Sequence, residues 1–456
     1  MGNPHVLLIP YPVQGHVIPL MELAQCLARH GINITFALTE TTHNRILNSL
    51  ALNDVALNDG IRLVTVLDGS ESNESSNVPG KLSEAIFKIM PGKVEKLIRD
   101  INASSESEGE KISCVVADQS LGWALELAKK LGLQTVAFLP AAAANLVLGF
   151  NIPKLIDDGI INIEGGGIPA ENKTFQFAPT MPFMNTSDFV WVRMGNSTMQ
   201  KIIFHMMLGN NKSVKSADWL ICNSAYNLEP GAFSLSPEIV PIGPLLAPKS
   251  LTTPTSPAGS FWPAEPNCLK FLDQHPPRSI IYAAFGSSTA FSEAQFEELA
   301  KGLELTNRPF LWVDANRKTY TTERGMVVNW APQQGVLSHP SVGCFLSHCG
   351  WNSTIESAIN GVPILCWPYF ADQFINQSYI CDVWKIGVAL KRNNGSDGII
   401  KCEEIKNKVD QLLGDKSFKE RALHLKEVTR ANIAEGGSSH NNLMNFIKWI
   451  NANINM

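Results

Sequence analysis

The chain predicts an α/β protein made of two doubly wound domains, and three observations carry that prediction. Short, often β-branched apolar runs alternate with amphipathic helical stretches almost from end to end. These runs fall into two series separated by Gly243–Pro266, a stretch rich in Pro, Ser, Thr and Gly with the composition of a linker. At 456 residues the chain has the length for two or three cores, each able to bury itself.

In the first series Val6–Pro10, Ile32–Leu38, Ile61–Val66, Ile112–Asp118 and Thr135–Pro140 read as buried strands bounded by polar or Gly/Pro residues. Between the first two, Ile18, Met21, Leu23, Leu27 and Ala28 recur near helical spacing, and Gly31 ends that helix. Strand–helix–strand alternation implies parallel sheets with right-handed crossovers. The second series is Ile280–Ser287, Phe310–Val313, Met326–Val328, Val342–Ser347 and Pro363–Trp367. Gly69–Pro79 and Ser104–Lys111 read as polar loops. Phe183–Met207 carries Met184, Met194, Met199, Met206 and Met207, which suit either an adaptable apolar ligand surface or ordinary packing. The division that follows is a first domain over 1–242, a linker over 243–266 and a second domain over 267–437, with a terminal segment over 438–456.

Composition removes several classes. With 45% hydrophobic and 17% charged residues the chain is globular, and a scattered net charge of −5 offers no footprint for nucleic acid or acidic membrane. Nine cysteines without a CxxC pair read as reduced thiols of a cytoplasmic protein. The apolar stretch near the N-terminus is too short for a signal core or a membrane span, and Val6 stands where myristoylation needs Ser or Thr. No GxGxxG follows a strand and no GxSxG elbow occurs, which argues against a dehydrogenase and a serine hydrolase.

The densest chemistry lies in the 44 positions from Trp330 to Gln373. Trp330 follows a strand, where open α/β sheets place ligands, so its indole could stack on a flat ring. Ala331 and Gln333 would then read that ring's edge; a buried core tryptophan is the alternative. The strand Val342–Ser347 turns through His348-Cys349-Gly350-Trp351 into a helix starting near Asn352, and free N–H groups there make an anion site. Gly350 permits close approach, and His348, Asn352 and Ser353 add donors. Ser353 to Glu356 also fits a capping box that merely closes the helix end. Asp372-Gln373 pairs an acceptor with a donor suited to sugar hydroxyls, or caps a helix. Cys344, His348 and Cys349 lack a second ligand pair for zinc. Outside this run, Ser287 sits in a Gly-Ser turn after a strand, and His16 opens a helix after the loop Pro10-Tyr11-Pro12-Val13-Gln14-Gly15. Asp118 ends its strand, where it could cap the next helix.

The Trp330–Gln373 run resembles, nearly position for position, the donor-binding signature box of plant family 1 UDP-glycosyltransferases. The stretches IPYPVQGHVIPL, SCVVADQSLGWALELA and PYFADQFINQSYICDVWKIG extend the resemblance over nearly the whole chain. It implies the GT-B fold: two Rossmann-like domains facing across a cleft, acceptor on the N-terminal side and UDP-sugar on the C-terminal side. The last helices would cross back onto the N-terminal domain. It implies further that Glu356 accepts ribose hydroxyls, that Ser287 meets the β-phosphate, and that Gly15, Trp351 and the rest of the box hold the donor. A terminal Gln373 goes with glucose donors. His16 would be the general base and Asp118 its partner, orienting the imidazole and stabilising the imidazolium. No Asp-x-Asp occurs, which fits a metal-independent, inverting displacement needing no cofactor beyond the UDP-sugar. The acceptor is expected to be a small flavonoid, other phenolic, terpenoid or steroid, walled by Met90, Ala142, Leu146, Met199 and Phe370 in a monomeric enzyme. The rivals are a UDP-sugar epimerase or hydrolase on the same architecture and a non-catalytic binding protein.

Overall fold

The computed structural model describes residues 3–53, 57, 60–66, 85–105, 110–245, 258–315, 319–392 and 398–452. The first sheet contains β1 (His5–Ile9), β2 (Asn33–Thr39), β3 (Ile61–Val66), β4 (Ile112–Asp118), β5 (Gln134–Leu139), β6 (Trp219–Cys222) and β7 (Ile239–Pro241). Its order is β7-β6-β5-β4-β1-β2-β3, and every pairing is parallel. The second contains β8 (Ile280–Ala284), β9 (Phe310–Val313), β10 (Tyr320–Thr321), β11 (Gly325–Val328), β12 (Val342–Ser347), β13 (Ile364–Cys366) and β14 (Gly387–Ala389). It runs β10-β11-β9-β8-β12-β13-β14, with only the edge pair β10–β11 antiparallel.

Strand order reverses at β1/β4 in the first sheet and at β8/β12 in the second. Such switch points open a crevice at the carboxyl ends of the strands, and there α/β sheets bind ligands. Both sheets are covered on both faces, which is why their strands read as unbroken apolar runs. Leu7 and Ile9 enter the core on one face while Val6 and Leu8 enter the other. Ile281 and Ala283 are divided from Ile280 and Tyr282 in the same way. Helix α1 (Gln14–Arg29) buries Val17, Leu20, Leu23, Ala24 and Leu27 against the sheet, and Gly31 at φ 80° turns the chain into β2.

The two halves share packing. Trp351 and Trp384, from the second half, donate their indole N–H groups to the carbonyls of Asn223 and Leu228 at 2.9 Å each. The terminal helix Ser438–Ala452 buries Leu443, Phe446, Ile447 and Ile450 in the core of the first sheet. Within the expected linker, Ala258 and Phe261 join that same core, so its last residues are packed chain; residues 246–257, like Gly69–Pro79 and residues 106–109 of Ser104–Lys111, lie outside the described residues. Among the described residues no helix is long and apolar enough to cross a membrane.

Candidate active site

The carboxyl ends of both sheets line one cavity of about 520 Å³. On the first side, β1 leads into α1 and β4 ends in register with it, Ile9 opposite Ala117, so His16 and Asp118 arrive on either side of the switch point. His16 Nδ1–H donates to Asp118 Oδ2 at 2.6 Å, since an ionised carboxylate can only accept. The other oxygen, Oδ1, accepts the Ser120 N–H at 2.8 Å, so fully buried Asp118 closes the turn after β4 and holds the imidazole. Asp118 does not cap the next helix, Gly122–Lys130, which opens at Leu121 with no side-chain cap bond. Burial alone would lower the His16 pKa; the Asp118 charge and hydrogen bond, helped by Asp372, outweigh it and raise the value. With Nδ1 engaged, Nε2 is the nitrogen left for the cavity, whose wall includes His16.

On the second side the turn after β12 is strained. Cys349, a non-glycine, stands at φ 64°, and its carbonyl accepts the Asn376 side-chain N–H at 2.9 Å. This turn delivers the helix Trp351–Asn360, with Gly350 as its first cap and no side-chain cap bond. The helix therefore begins before Asn352, and the Ser353–Glu356 capping box does not form. Ser353 Oγ and Glu356 Oε2 instead accept from Gln333 Nε2 at 2.9 and 2.8 Å. His348 is fitted between two glycines: a methyl at Gly350 would lie 2.4 Å from its Nε2, and one at Gly286 2.7 Å. Burial pushes its pKa down to about 4, so the imidazole is neutral near pH 7. Burial pushes Glu356 the opposite way for a carboxyl, up to about 7, against the pull of Gln333 and Gln334.

Trp330 stacks on Trp262 with ring centroids 4.9 Å apart, which fixes the indole plane at the cavity wall. Gln373 Oε1 accepts the backbone N–H groups of Tyr369 and Phe370 at 2.7 and 3.0 Å, which leaves the Nε2 donors for the cavity. Asp372 beside it has its pKa raised by burial, opposed by Asn376 and by the His16 charge. One interdomain bond has a cause in the sequence. Pro19 inside α1 has no N–H for the Gly15 carbonyl one turn back, and Asn352 Nδ2 supplies one at 2.8 Å.

A family profile described as "UDP-glucoronosyl and UDP-glucosyl transferase" matches residues 262–433. Over 461 aligned residues the chain is 51% identical to UDP-glycosyltransferase 83A1 of Arabidopsis thaliana, spanning 100% of this chain and 98% of that protein. The chain belongs to the plant family 1 UDP-glycosyltransferases. It is also 30% identical to 7-deoxyloganetic acid glucosyltransferase of Catharanthus roseus, over 98% of this chain and 97% of that one. The structure of Phytolacca americana UGT2 complexed with UDP-2fluoro-glucose and pterostilbene matches with a TM-score of 0.80 at 25% identity, covering 98% of this chain and 99% of the other. The fold is GT-B, and the chain is a glycosyltransferase that uses a UDP-sugar.

In this UDP-glycosyltransferase the cavity wall gathers His16, Gly15, Ser287 and all the singled-out members of the Trp330–Gln373 box. Leu146, Met199 and Phe370 line it as well, but two expected acceptor contacts do not. Met90 is 1% exposed in the core beneath the first sheet, because it opens the helix Met90–Ser104 on its buried side. Ala142 is fully buried ahead of the helix Ala143–Phe150, and its neighbour Ala141 reaches the cavity instead. Three donor-side readings also change. The Trp351 indole is committed to Asn223, the Asn352 amide donates to Gly15, and the Gln333 side chain is tied to Tyr282, Ser353 and Glu356. Of the methionines, Met184 is core, while Met194, Met199, Met206 and Met207 face the cavity. Sequence reasoning missed Trp262, which stood in a linker and stacks on Trp330, and the cavity-lining Gln334 and Asn145, which lay beside stronger signals.

Proposed function

We propose that the enzyme transfers glucose from UDP-glucose to a hydroxyl of a small lipophilic flavonoid, other phenolic, terpenoid or steroid, forming a β-O-glycoside. The observation that carries this reading is the 2.6 Å His16–Asp118 pair at the wall shared with the donor box. His16 Nε2 takes the acceptor's proton as its oxygen attacks the anomeric carbon, while the bond from that carbon to the UDP oxygen breaks on the opposite face. Asp118 stabilises the imidazolium. The free N–H groups opening the helix at Trp351, with Ser287 and His348, meet the charge building on the diphosphate, so no step calls for a metal. Donor choice is supported by the orientation of the Gln373 amide and by a glucosyltransferase among the relatives. The apolar wall of Val190, Met194, Ile203, Met206 and Met207 suits a lipophilic acceptor. Free, mostly buried cysteines suit a protein working in the cytoplasm.

Incubation with UDP-glucose, UDP-galactose and UDP-xylose against a panel of such aglycones, read by mass and by the anomeric proton coupling, tests the reading. A β-glucoside is expected. Preference for another donor, or an α-linked product, would overturn the donor or the stereochemistry.

A further inference from the structure

One stripe of the helix Ser197–Lys215 faces the cavity. Met199, Ile203, Met207 and Asn211 recur every fourth residue along it, and all four line the wall. Asn211 is the polar member that ends an otherwise apolar row. Its Nδ2 donates to the Gly149 carbonyl at 2.7 Å. That carbonyl lies in the last turn of the helix Ala143–Phe150, and Pro153, four residues on, has no N–H to give it. A carbonyl only accepts, so the amide nitrogen must face it and Oδ1 points the other way. Oδ1 accepts no hydrogen bond among the described residues, and it is not one of the polar atoms sealed from solvent. Gly149 keeps the space beside it open: a Cβ there would sit 3.5 Å from Oδ1 and 3.6 Å from Met207 Cε.

The catalytic end of the same short helix is marked by Asn145, whose amide supports the Asp372 charge that acts on His16. Gly149 lies one turn farther along, roughly 6 Å down the helix axis. The described residues lining the cavity include no Lys or Arg.

We propose that Asn211 is a specificity-determining residue that selects neutral acceptors carrying a second hydroxyl, which donates to its Oδ1 while the first meets His16. An ether or ketone oxygen has no hydrogen to give. A carboxylate would face an acceptor oxygen with no cation in the wall to balance its charge. The inference rests on reading the His16 side of the cavity as the acceptor pocket, and it narrows the lipophilic acceptor to a diol or polyol.

The test uses four naphthols that differ at one position: 2,6-dihydroxynaphthalene, 2-naphthol, 6-methoxy-2-naphthol and 6-hydroxy-2-naphthoate. Their binding to the UDP-loaded enzyme is measured by calorimetry, and glucoside formation from UDP-glucose is followed by mass. Wild type is expected to bind the diol about tenfold more tightly than 2-naphthol or the methoxy compound, the worth of one hydrogen bond, and the carboxylate most weakly. Asn211→Leu should erase that preference; its melting temperature checks folding, since the Gly149 carbonyl loses its donor. Gly149→Ala keeps that bond and sets a methyl beside Oδ1, so it should narrow the preference in a protein at least as stable. Equal binding of diol and 2-naphthol by wild type, a carboxylate bound as tightly as the diol, or binding of none of the four would overturn the proposal. So would a preference unchanged in whichever of the two variants folds. The expected order of binding without any glucoside would leave the selection by Asn211 standing and sink glucose transfer instead.

Discussion

Asp118 raises the His16 pKa, and the sign of that shift separates stability from activity. A histidine whose folded pKa is raised adds stability that is full below its unfolded value near 6.5 and is lost as pH rises through the folded value. The neutral base needed for proton removal is thus the less stabilised form. The acid limb of kcat/KM should lie above 6.5 in wild type, and Asp118→Asn should move it to lower pH while reducing the rate; a limb that stays in place would dissociate the pair from catalysis. Replacing His16 with Ala should cost about 10²–10⁴-fold in kcat with UDP-glucose KM nearly unchanged. At His16, Asp118 and Trp330 the residues alone left a structural role open, and the family resemblance singled them out; the structure brings all three to the cleft. The site was not legible where the partner is remote: nothing local links Gln334 to Glu22, or Asn352 to Gly15.

The helix Trp351–Asn360 and the strained turn before it form the proposed anion-binding element, and its tolerance to substitution is set by His348. Gly350 has φ −60°, so its backbone accepts any residue, but a Cβ would press on His348 Nε2 at 2.4 Å. Gly350→Ala should therefore displace the imidazole and weaken UDP by tenfold or more, at a stability cost of only about 1–3 kcal/mol. Calorimetry beside chemical denaturation separates the two; a variant destabilised but binding UDP normally would remove His348 from the phosphate site. The same element shows where reading by pattern stops. Ser353 and Glu356 stand at capping-box spacing, yet the helix starts earlier, because the tertiary position of Gly350 decides the cap. Strands β1, β2, β4 and β5 were legible as apolar runs, whereas β3, expected to be buried, is an edge strand in which only Val66 is buried. By contrast β6, β7 and β14 span three or four residues each, too few for a period to register.

Catalysis needs both sheets folded across the cleft, and the terminal helix Ser438–Ala452 contributes to the stability of the first sheet from outside the site. Phe446 is fully buried, with its ring 5.5 Å from that of Trp219 in β6. Strand β6 pairs with β5, whose carboxyl end leads to the cavity residues Pro140 and Ala141. Asn442 fastens the same helix to the Pro241 carbonyl at 2.8 Å. Truncating a buried phenylalanine to alanine costs about 3–5 kcal/mol, a large share of the 5–15 kcal/mol that holds a typical domain together. Phe446→Ala should therefore lower the denaturation midpoint sharply. The residue does not line the cavity, so kcat assayed well below the new melting temperature should stay close to wild type, and activity on warming should fall together with the folded fraction. A midpoint equal to wild type would show that the helix contributes little to the first core. A loss of kcat while the protein remains folded would show instead that the helix sets the spacing of the cleft, and that the two sheets depend on this distant contact for their catalytic register.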